Sequence, residues 1–245
     1  MRAMILAAGL GTRLRPLTND RPKALVKING KTLLEITLTR LRRVGVREVV
    51  INAHHFVDML VAYVKNNDLG MRIEISREEE GLLDTGGGLK KAAHFFLEQP
   101  DDPFLLHNVD VLSSIDFGRM LQLHRDRQAL ATLAVQQRES SRQLLFDHKL
   151  RLCGRTGVGE EPEIACPVAN PKPFAFCGIH VISPRIFELM SEQGVFSIIA
   201  SYLRLAQQGE NVIGFRADEY YWRDMGKPES IQQAEQDIMR GEIEL

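Results

Sequence analysis

The sequence predicts an α/β protein in which a mostly parallel central sheet carries helices on both faces. Residues 3–8 form a continuous apolar run that ends in glycines, which is typical of a strand buried on both faces. Helical and strand-like segments then alternate regularly up to about residue 127. Such alternation indicates parallel strands joined by crossover helices.

The first half of the chain supplies these repeating units. Thr32 is a candidate N-cap for a helix in which Leu34, Leu38 and Leu41 recur at helical spacing until Gly45. Further helices are predicted at 56–66, 88–97 and 117–127, and further strands at 48–52, 71–76 and 104–108.

The second half is richer in strands, which we expect to be partly antiparallel. Strands are predicted at 131–136, 143–146, 174–181 and 211–215, and helices at 184–190, 197–207 and after Lys227, where Pro228 occupies the first turn. Residues 153–173 contain several glycines and prolines without periodicity, which predicts a loop or flap rather than a linker between domains. We therefore expect residues 1–245 to form a single domain.

Composition limits the classes of function. A formal net charge of -1 over 245 residues disfavours a surface that binds nucleic acid. The apolar run at 3–8 is too short for a signal peptide or a membrane span, so we expect a cytoplasmic protein without a membrane partner. Cys153, Cys166 and Cys177 lack the spacing of a disulfide framework or a zinc site and are interpreted as ordinary thiols.

The most informative segment is LAAGLGTRLRPLTNDRPKAL, residues 6–25. Its first glycines, Gly9 and Gly11, follow the buried strand at the carboxyl edge of the sheet, where their backbone N–H groups can approach phosphate oxygens. Leu14 stands where a dinucleotide-binding fingerprint has its third glycine, and no Gly-Lys-Ser/Thr closes a P-loop. From residue 13 to residue 27 the only acidic residue is Asp20, whereas five residues are basic: Arg13, Arg15, Arg21, Lys23 and Lys27.

The complete string resembles the signature Leu-Ala-Ala-Gly-x-Gly-Thr-Arg-Leu-x-Pro-x-Thr, followed by Pro-Lys, of the sugar-1-phosphate nucleotidyltransferases, or nucleotide-sugar pyrophosphorylases. This resemblance implies a Rossmann-like three-layer α/β/α fold with a mixed, mostly parallel central sheet, the nucleotide-diphospho-sugar transferase fold. It also implies transfer of a nucleotidyl group from a nucleoside triphosphate to a sugar 1-phosphate, with release of pyrophosphate. Within the family, the compact chain is most similar to N-acetylmuramate-1-phosphate uridylyltransferases and mannose-1-phosphate guanylyltransferases.

The same resemblance implies roles for residues of the first loop and of a later glycine-rich segment. Arg13 would hold the leaving pyrophosphate, and Lys23 would reach the phosphates where the new bond forms, so both are predicted to be catalytic. The residues predicted to bind the nucleotide are Leu6, Ala8, Gly9, Gly11, Thr12, Thr85, Gly87 and Gly88. Read without the family, the segment from Asp84 to Gly88 is equally consistent with a helix N-cap and its approach.

Two acidic residues are the predicted metal ligands. Asp110 follows an apolar strand, and Asp224 lies in Trp222-Arg223-Asp224-Met225-Gly226; each alone is also typical of a turn or helix cap. Resemblance to the family pairs them as Mg²⁺ ligands, and two carboxylates plus phosphate oxygens and water suit that ion. Asn108-Val109-Asp110 departs from the Gly-Asp of many relatives, so Val109 is expected to narrow the space near the sugar.

The sugar phosphate is expected to contact Asn108, Gly178 and Lys172. Gly178 lies in a predicted strand, where glycine marks a bulge or a close approach. Lys172, in Pro171-Lys172-Pro173, is the nearest counterpart of a Glu-Lys-Pro sequence in relatives, although the glutamate is absent here. No general base is needed because the sugar phosphate is already ionised, so His54, His55 and His107 are expected to be structural.

Three alternatives remain open from the sequence. A cytidylyltransferase acting on a non-sugar phosphate would keep the fold and change the acceptor. A catalytically silent nucleotide-sugar-binding regulator would keep the pocket without turnover, but it would not require Arg13, Lys23, Asp110 and Asp224 together. A dehydrogenase is disfavoured by the missing third glycine. The nucleobase, the sugar and the oligomeric state are left undetermined.

Overall fold

The computed structural model describes all 245 residues. The strands are β1 (Arg2–Leu6), β2 (Lys27–Ile28), β3 (Lys31–Thr32), β4 (Glu48–Ala53), β5 (Arg72–Arg77), β6 (Phe104–Asn108), β7 (Val111–Ser113), β8 (Ala131–Gln136), β9 (Arg142–Phe146), β10 (Leu152–Gly157), β11 (Glu163–Ile164), β12 (Lys172–Ile182), β13 (Val212–Arg216) and β14 (Trp222–Asp224). The α-helices are α1 (Leu33–Arg43), α2 (Val57–Asn66), α3 (Asp84–Lys91), α4 (Ala93–Leu97), α5 (Phe117–Asp126), α6 (Ile186–Leu189), α7 (Ile198–Gln207) and α8 (Pro228–Met239). Two short 3-10 helices span Thr12–Leu14 and Lys23–Leu25.

The chain divides into two compact units, each built from discontinuous segments. The first unit contains residues 1–83, 106–115 and 220–245, and the second contains 84–105 and 116–219. The prediction of one domain over residues 1–245 stays a prediction. No helix in the chain combines the length and the apolar character that crossing a bilayer requires.

The first unit is built on parallel strands. β1 pairs in parallel with β4, and β4 with β5, in a register that sets Leu6 opposite Asn52 and Asn52 opposite Ser76. The side chains of β1 and β4 are almost fully buried because helices cover such strands on both faces. α1 begins where predicted: the Thr32 side chain accepts from the Glu35 amide, and the Glu35 carboxylate accepts from the Thr32 amide, forming a capping box.

The second unit is mainly antiparallel, as expected. β12 pairs antiparallel with β9 through its first residues and with β8 through the rest, while β13 lies parallel to β8. Its core includes a stack in which the ring centroids of Phe96 and Phe104 lie 3.9 Å apart and those of Phe104 and Phe187 lie 5.8 Å apart. Stacked aromatic rings contribute a large buried apolar area to this core.

Two sequence-based expectations for the second unit were wrong. Residues 153–173 are not one loop, because they contain most of β10, all of β11 and the start of β12. The helix expected from residue 88 begins at Asp84, so the three glycines lie inside α3. The amides of Gly86 and Gly87 donate to the Phe196 carbonyl, and a Cβ on Gly86 would lie 2.4 Å from the Phe196 ring. This close approach explains why glycine stands in a helix that it otherwise disfavours.

The three cysteines are free thiols, as interpreted from the sequence. Burial raises the pKa of Cys153 to about 11 and that of Cys177 to about 12. Neither thiol is therefore ionised enough at neutral pH to act as a nucleophile.

A buried carboxylate joins α8 to β14 in the first unit. Asp237 is 1% exposed and accepts hydrogen bonds from the Tyr221 hydroxyl at 2.6 Å, the Arg223 guanidinium at 2.7 Å and the Gln233 amide at 3.0 Å. Burial alone would raise the pKa of Asp237, but these donors together lower it below its ordinary value. The ionised form of Asp237 therefore stabilises the folded state.

We expect Asp237→Asn to lower the free energy of unfolding by about 1–3 kcal/mol at pH 7, the usual effect of losing hydrogen bonds to a buried charge. The pKa of Asp237 is depressed in the folded chain, so its contribution is complete above the ordinary value of 3.8 and is lost as pH falls through the folded-state pKa. The difference between wild type and variant should therefore shrink as pH is lowered below about 4. Urea denaturation at several pH values measures this, with the exposed Asp126→Asn as a control. A difference that stays constant down to pH 3 would contradict the assignment.

Candidate functional site

A cavity of about 370 Å³ opens in the first unit where β1 ends. It brings together seven of the residues predicted from the sequence, Leu6, Gly9, Gly11, Thr12, Arg13, Lys23 and Asp110. The rest of its lining consists of Ala7, Leu10, Leu82, Val109 and Gly226. The predicted first loop and the first predicted metal ligand thus share one cavity.

The glycine loop has two different reasons for its glycines. Gly11 adopts φ +64°, a left-handed conformation that glycine tolerates at little cost, and a Cβ there would lie 3.1 Å from the Thr18 side chain. The Thr18 hydroxyl also donates to the Gly11 carbonyl at 2.8 Å, which closes the loop. By contrast, no protein atom lies within 4 Å of a Cβ placed on Gly9. Packing inside the protein therefore does not require glycine at this position, whereas close approach of a ligand to the backbone would.

The two predicted catalytic cations occupy different surroundings in the cavity. Lys23 lies in a 3-10 helix, is 9% exposed, and its ammonium group forms an ion pair with the Asp110 carboxylate. Arg13 is more exposed and lies beside the Gly226 backbone, where its guanidinium would be 3.1 Å from a Cβ on that glycine. Both groups can form charge-assisted hydrogen bonds with phosphate oxygens.

The two predicted metal ligands lie on adjacent backbone segments. β7 pairs antiparallel with β14 in a register that sets Val111 opposite Asp224, and the Met225 amide donates to the Asp110 carbonyl at 2.7 Å. The Asp224 carboxylate accepts a hydrogen bond from the Gly226 amide through its Oδ1. A Cβ on Gly226 would lie 2.4 Å from that oxygen, so a larger residue there would displace the Asp224 carboxylate.

This donor set fits a hard divalent cation that also binds a phosphate ligand. Asp110 and Asp224 supply oxygen atoms, which Mg²⁺ and similar ions prefer. No cluster of three or more His, Cys, Asp or Glu side chains in the chain could hold a metal ion by itself. The remaining ligands would have to come from phosphate oxygens and water, as is usual for Mg²⁺ in nucleotide sites.

The histidine next to the site is not a candidate acid or base. His107 is 1% exposed, and burial, followed by the positive charge of Arg40, lowers its pKa to about 3. Its Nδ1 lies 2.7 Å from the Asn108 carbonyl oxygen, to which the neutral ring can donate. The interpretation of His107 as a structural residue agrees with this geometry.

Other predicted residues, Asp224 among them, lie outside this cavity lining. Ala8 is buried next to the loop, and Asn108 is half-buried at the end of β6. In the second unit, the Thr85 hydroxyl accepts from the Ile198 amide at 3.0 Å, which helps to cap α7. Gly87 and Gly88 are buried in α3. The nucleotide-binding role of these residues stays a prediction.

The two residues predicted for the sugar phosphate in the second unit lie on the same strand, β12. Gly178 has φ +72° and lies in an irregularity of the pairing with β8, which matches the expected bulge. Lys172 lines a cavity of about 1110 Å³ that also contains Arg138 and Arg216. Phe176 lines a separate cavity of about 360 Å³ with Arg155 and Thr156. Gly178 does not line the cavity that contains Lys172, and the roles of both residues stay predictions.

Sequence reasoning missed several residues of the first-unit cavity. Gly226 closes the Trp-x-Asp-x-Gly sequence around Asp224, so the motif could have identified it. Val109 is expected from the sequence to narrow the space near the sugar, and the structure places it in the lining of this cavity. Leu10 and Leu82 carry no signal, because an apolar residue in a loop does not reveal which space it faces.

Comparisons with known proteins agree with the signature in the first loop. A family profile described as "Nucleotidyl transferase" matches residues 2–144. The chain is 35% identical to an N-acetylmuramate alpha-1-phosphate uridylyltransferase of Caulobacter vibrioides, over 95% of each protein. It is 29% identical to a mannose-1-phosphate guanylyltransferase of Mycobacterium tuberculosis, over 98% of this chain and 65% of that protein.

A solved structure shares the fold. A putative glucose-1-phosphate thymidylyltransferase of Bacillus anthracis, in complex with a sucrose, superposes with a TM-score of 0.78 at 17% identity, over 100% of this chain and 97% of that one. The predicted Rossmann-like α/β fold with a mixed, mostly parallel sheet is thereby confirmed. Together with the profile match over more than half of the sequence, these likenesses establish that the chain belongs to the nucleotidyl transferase family, among the sugar-1-phosphate nucleotidyltransferases.

Proposed function

We propose that the protein transfers a nucleotidyl group from a nucleoside triphosphate to a sugar 1-phosphate, forming a nucleotide sugar and pyrophosphate. The observation that carries this proposal is the first-unit cavity, in which a glycine loop, Arg13, Lys23 and Asp110 face the same space. Backbone N–H groups and cations suit a triphosphate, and the adjacent carboxylates suit a cation bound to it. An anion-binding pocket without turnover would not need both sets of charges.

The reaction is a single displacement at the α-phosphorus. An oxygen of the sugar phosphate forms a bond to this phosphorus, and the bond from the phosphorus to the bridging oxygen of the β-phosphate breaks, so that pyrophosphate leaves with that oxygen. The attacking phosphate is already ionised at neutral pH, so no side chain has to remove a proton. His107, beside Asn108, is not such a base, because burial lowers its pKa to about 3.

Arg13 and Lys23 are the proposed electrostatic catalysts. Arg13 would bind the β- and γ-phosphates and the pyrophosphate that they become, since its guanidinium can contact two oxygens at once. Lys23 would stabilise the charge that spreads over the equatorial oxygens of the α-phosphorus. In the structure the Lys23 ammonium is held by Asp110, which fixes it at the cavity before any ligand arrives.

Asp110 and Asp224 would hold the divalent cation, and Mg²⁺ is the ion that we propose. When bound, this ion would neutralise part of the triphosphate charge. The two carboxylates belong to the β7–β14 pair and its flanking residues, so their backbone positions are set before the ion binds. Prepositioned ligands lower the cost of organising the site.

We infer that UTP and N-acetylmuramate 1-phosphate are the substrates to test first. The Caulobacter vibrioides protein named for that activity is 35% identical, and the match covers 95% of each chain. GTP with mannose 1-phosphate is the next pair, because relatives named mannose-1-phosphate guanylyltransferases reach 30% identity. A nucleotide sugar of either kind would be made in the cytoplasm, where nucleoside triphosphates are available.

A matrix of nucleoside triphosphates against phosphorylated acceptors tests the proposal. With Mg²⁺ present, pyrophosphate formation should be highest for one nucleotide and a sugar 1-phosphate. Turnover restricted to CTP with a non-sugar phosphate would favour the alternative cytidylyltransferase. Nucleotide binding without pyrophosphate formation for any acceptor would favour the silent regulator.

Arg13→Ala is expected to lower kcat about 10²- to 10³-fold, the usual cost of removing a donor that stabilises transition-state charge. The matched control is Arg15→Ala, because Arg15 is an exposed cation of the same loop that does not line the cavity. Initial rates of pyrophosphate release measure both variants. Equal rates for Arg13→Ala and wild type would refute the role of Arg13.

Asp224→Asn is expected to raise the Mg²⁺ concentration needed for half-maximal activity at least about tenfold, because an amide replaces a charged oxygen ligand. Binding of Mn²⁺ in the presence of the nucleotide, followed by electron paramagnetic resonance, should weaken in parallel. Asp20→Asn is the control, since Asp20 is an exposed acid of the first loop paired with Arg21. Unchanged metal dependence in Asp224→Asn would exclude Asp224 as a ligand.

A further inference from the structure

Two buried polar side chains lie behind the first-unit cavity. Asn52, near the end of β4, and Glu78, just after β5, are each 2% exposed. Neither lines the cavity. Asn52 is hydrogen-bonded to the lining residue Ala7, and Glu78 to Leu83, which follows the lining residue Leu82. A buried carboxylate is costly unless its oxygens are hydrogen-bonded, so the partners of Glu78 indicate what it holds.

The two side chains form a continuous hydrogen-bonded chain between two backbone segments. The Ala7 amide donates to Asn52 Oδ1 at 2.8 Å, and Asn52 Nδ2 donates to Glu78 Oε1 at 2.7 Å. The other carboxylate oxygen, Glu78 Oε2, accepts from the Leu83 amide at 2.9 Å. Ala7 itself lines the cavity, and Leu83 follows the lining residue Leu82.

The hydrogen bonds of Asn52 take the place of main-chain pairing where β1 ends. Leu6 is the last residue of β1 in register with β4, where it lies opposite Asn52. The next amide, that of Ala7, finds its acceptor in the Asn52 side chain and not in a strand. The glycine loop therefore leaves the sheet in a direction set by a side-chain hydrogen bond.

Residue 78 must be acidic for this geometry. Ala7 donates to Asn52, which fixes the Asn52 oxygen toward Ala7 and its NH₂ group toward Glu78. Residue 78 then faces two donors, the Asn52 NH₂ and the Leu83 N–H, and only a carboxylate offers an acceptor to each. A flip of Asn52 would not relieve the conflict, because its NH₂ group would then face the Ala7 N–H.

The backbone of Glu78 is held as firmly as its side chain. Its amide donates to the Ala53 carbonyl at 2.8 Å, and its carbonyl oxygen lies 2.6 Å from His54 Nδ1, which can donate to it. The carboxylate is thus attached at a fixed point beside β4. A support of this kind fixes the Leu83 amide directly and the Ala7 amide through Asn52.

We propose that Asn52 and Glu78 are positioning residues that set the affinity of the first-unit cavity for the nucleoside triphosphate, by fixing the backbone at Ala7 and Leu83. The inference rests on the proposed function, which supplies the ligand. Neither side chain contacts the reacting groups. Their loss should therefore weaken nucleotide binding more than it slows the chemical step.

Glu78→Gln tests the proposal, because it keeps the size of the side chain and removes one acceptor. We expect KM for the preferred nucleoside triphosphate, and its Kd measured by calorimetry, to rise about tenfold, while kcat changes less than about threefold. Hydrogen exchange at the Ala7 and Leu83 amides should accelerate together. Glu79→Gln is the matched control: it makes the same charge change at the next, exposed position and should leave Kd and exchange unchanged.

Glu78→Asp keeps the proposal testable if the glutamine variant folds poorly. Aspartate retains two acceptors but shortens the reach by one methylene, so we expect it to fold and to raise Kd by less than Glu78→Gln. Wild-type Kd in both variants would overturn the proposal, and so would a lowered melting temperature with unchanged Kd in the folded protein. If wild type itself bound no nucleoside triphosphate, the proposed function would fail independently of these variants.

Discussion

The first-unit cavity depends on a main-chain hydrogen bond from the Val109 amide to the Leu6 carbonyl, 3.0 Å long. Leu6 is the last residue of β1, and Asp110 follows Val109, so this bond brings the acidic segment beside the start of the glycine loop. Because a main-chain bond requires no particular side chain at residue 109, valine can occupy this position. The side chain of Val109 then becomes part of the cavity wall.

The ion pair between Lys23 and Asp110 links the charge pattern of the cavity to its shape. Lys23 is largely buried, and an isolated ammonium group in that environment would be costly. Its pairing with Asp110 offsets that cost and holds a cation beside a carboxylate that we propose as a metal ligand. A triphosphate with its divalent ion brings both signs of charge to the same place, so each member of the pair has a new partner available when the ligand binds.

Much of the fold could be predicted from the sequence because its periodicity reflects burial. The strand at 104–108 and the helix capped by Thr32 follow directly from apolar spacing and capping chemistry. The failures at α3 and β10 share a cause: glycine was read as a breaker of regular structure. In β10, a Cβ on Gly154 would lie 2.5 Å from the Glu163 carbonyl oxygen, so glycine permits the close approach of β11. Spacing along one chain does not reveal which backbone approaches from elsewhere.

The candidate site also contains residues that could be predicted from the sequence and residues that could not. The meeting of the first loop and Asp110 in one cavity could be predicted because both follow strands that end at the same edge of the sheet. The pairing of β7 with β14, which sets Asp224 opposite Val111, could not be read from spacing. The supporting residues could not, since a buried Asn or Glu has no pattern of its own until its partners are known.

Rigidity of the cavity rests on buried carboxylates that do not line it. Glu78 holds the Ala7 backbone through Asn52 and holds the Leu83 backbone directly. Asp237 holds β14 through Tyr221 and Arg223. Each carboxylate accepts several hydrogen bonds, so a small displacement would break more than one of them at once. A loop rich in glycine has little stiffness of its own, because glycine restricts the backbone least. Gly9 can therefore stay open for a ligand while the neighbouring backbone is held by side chains that do not line the cavity.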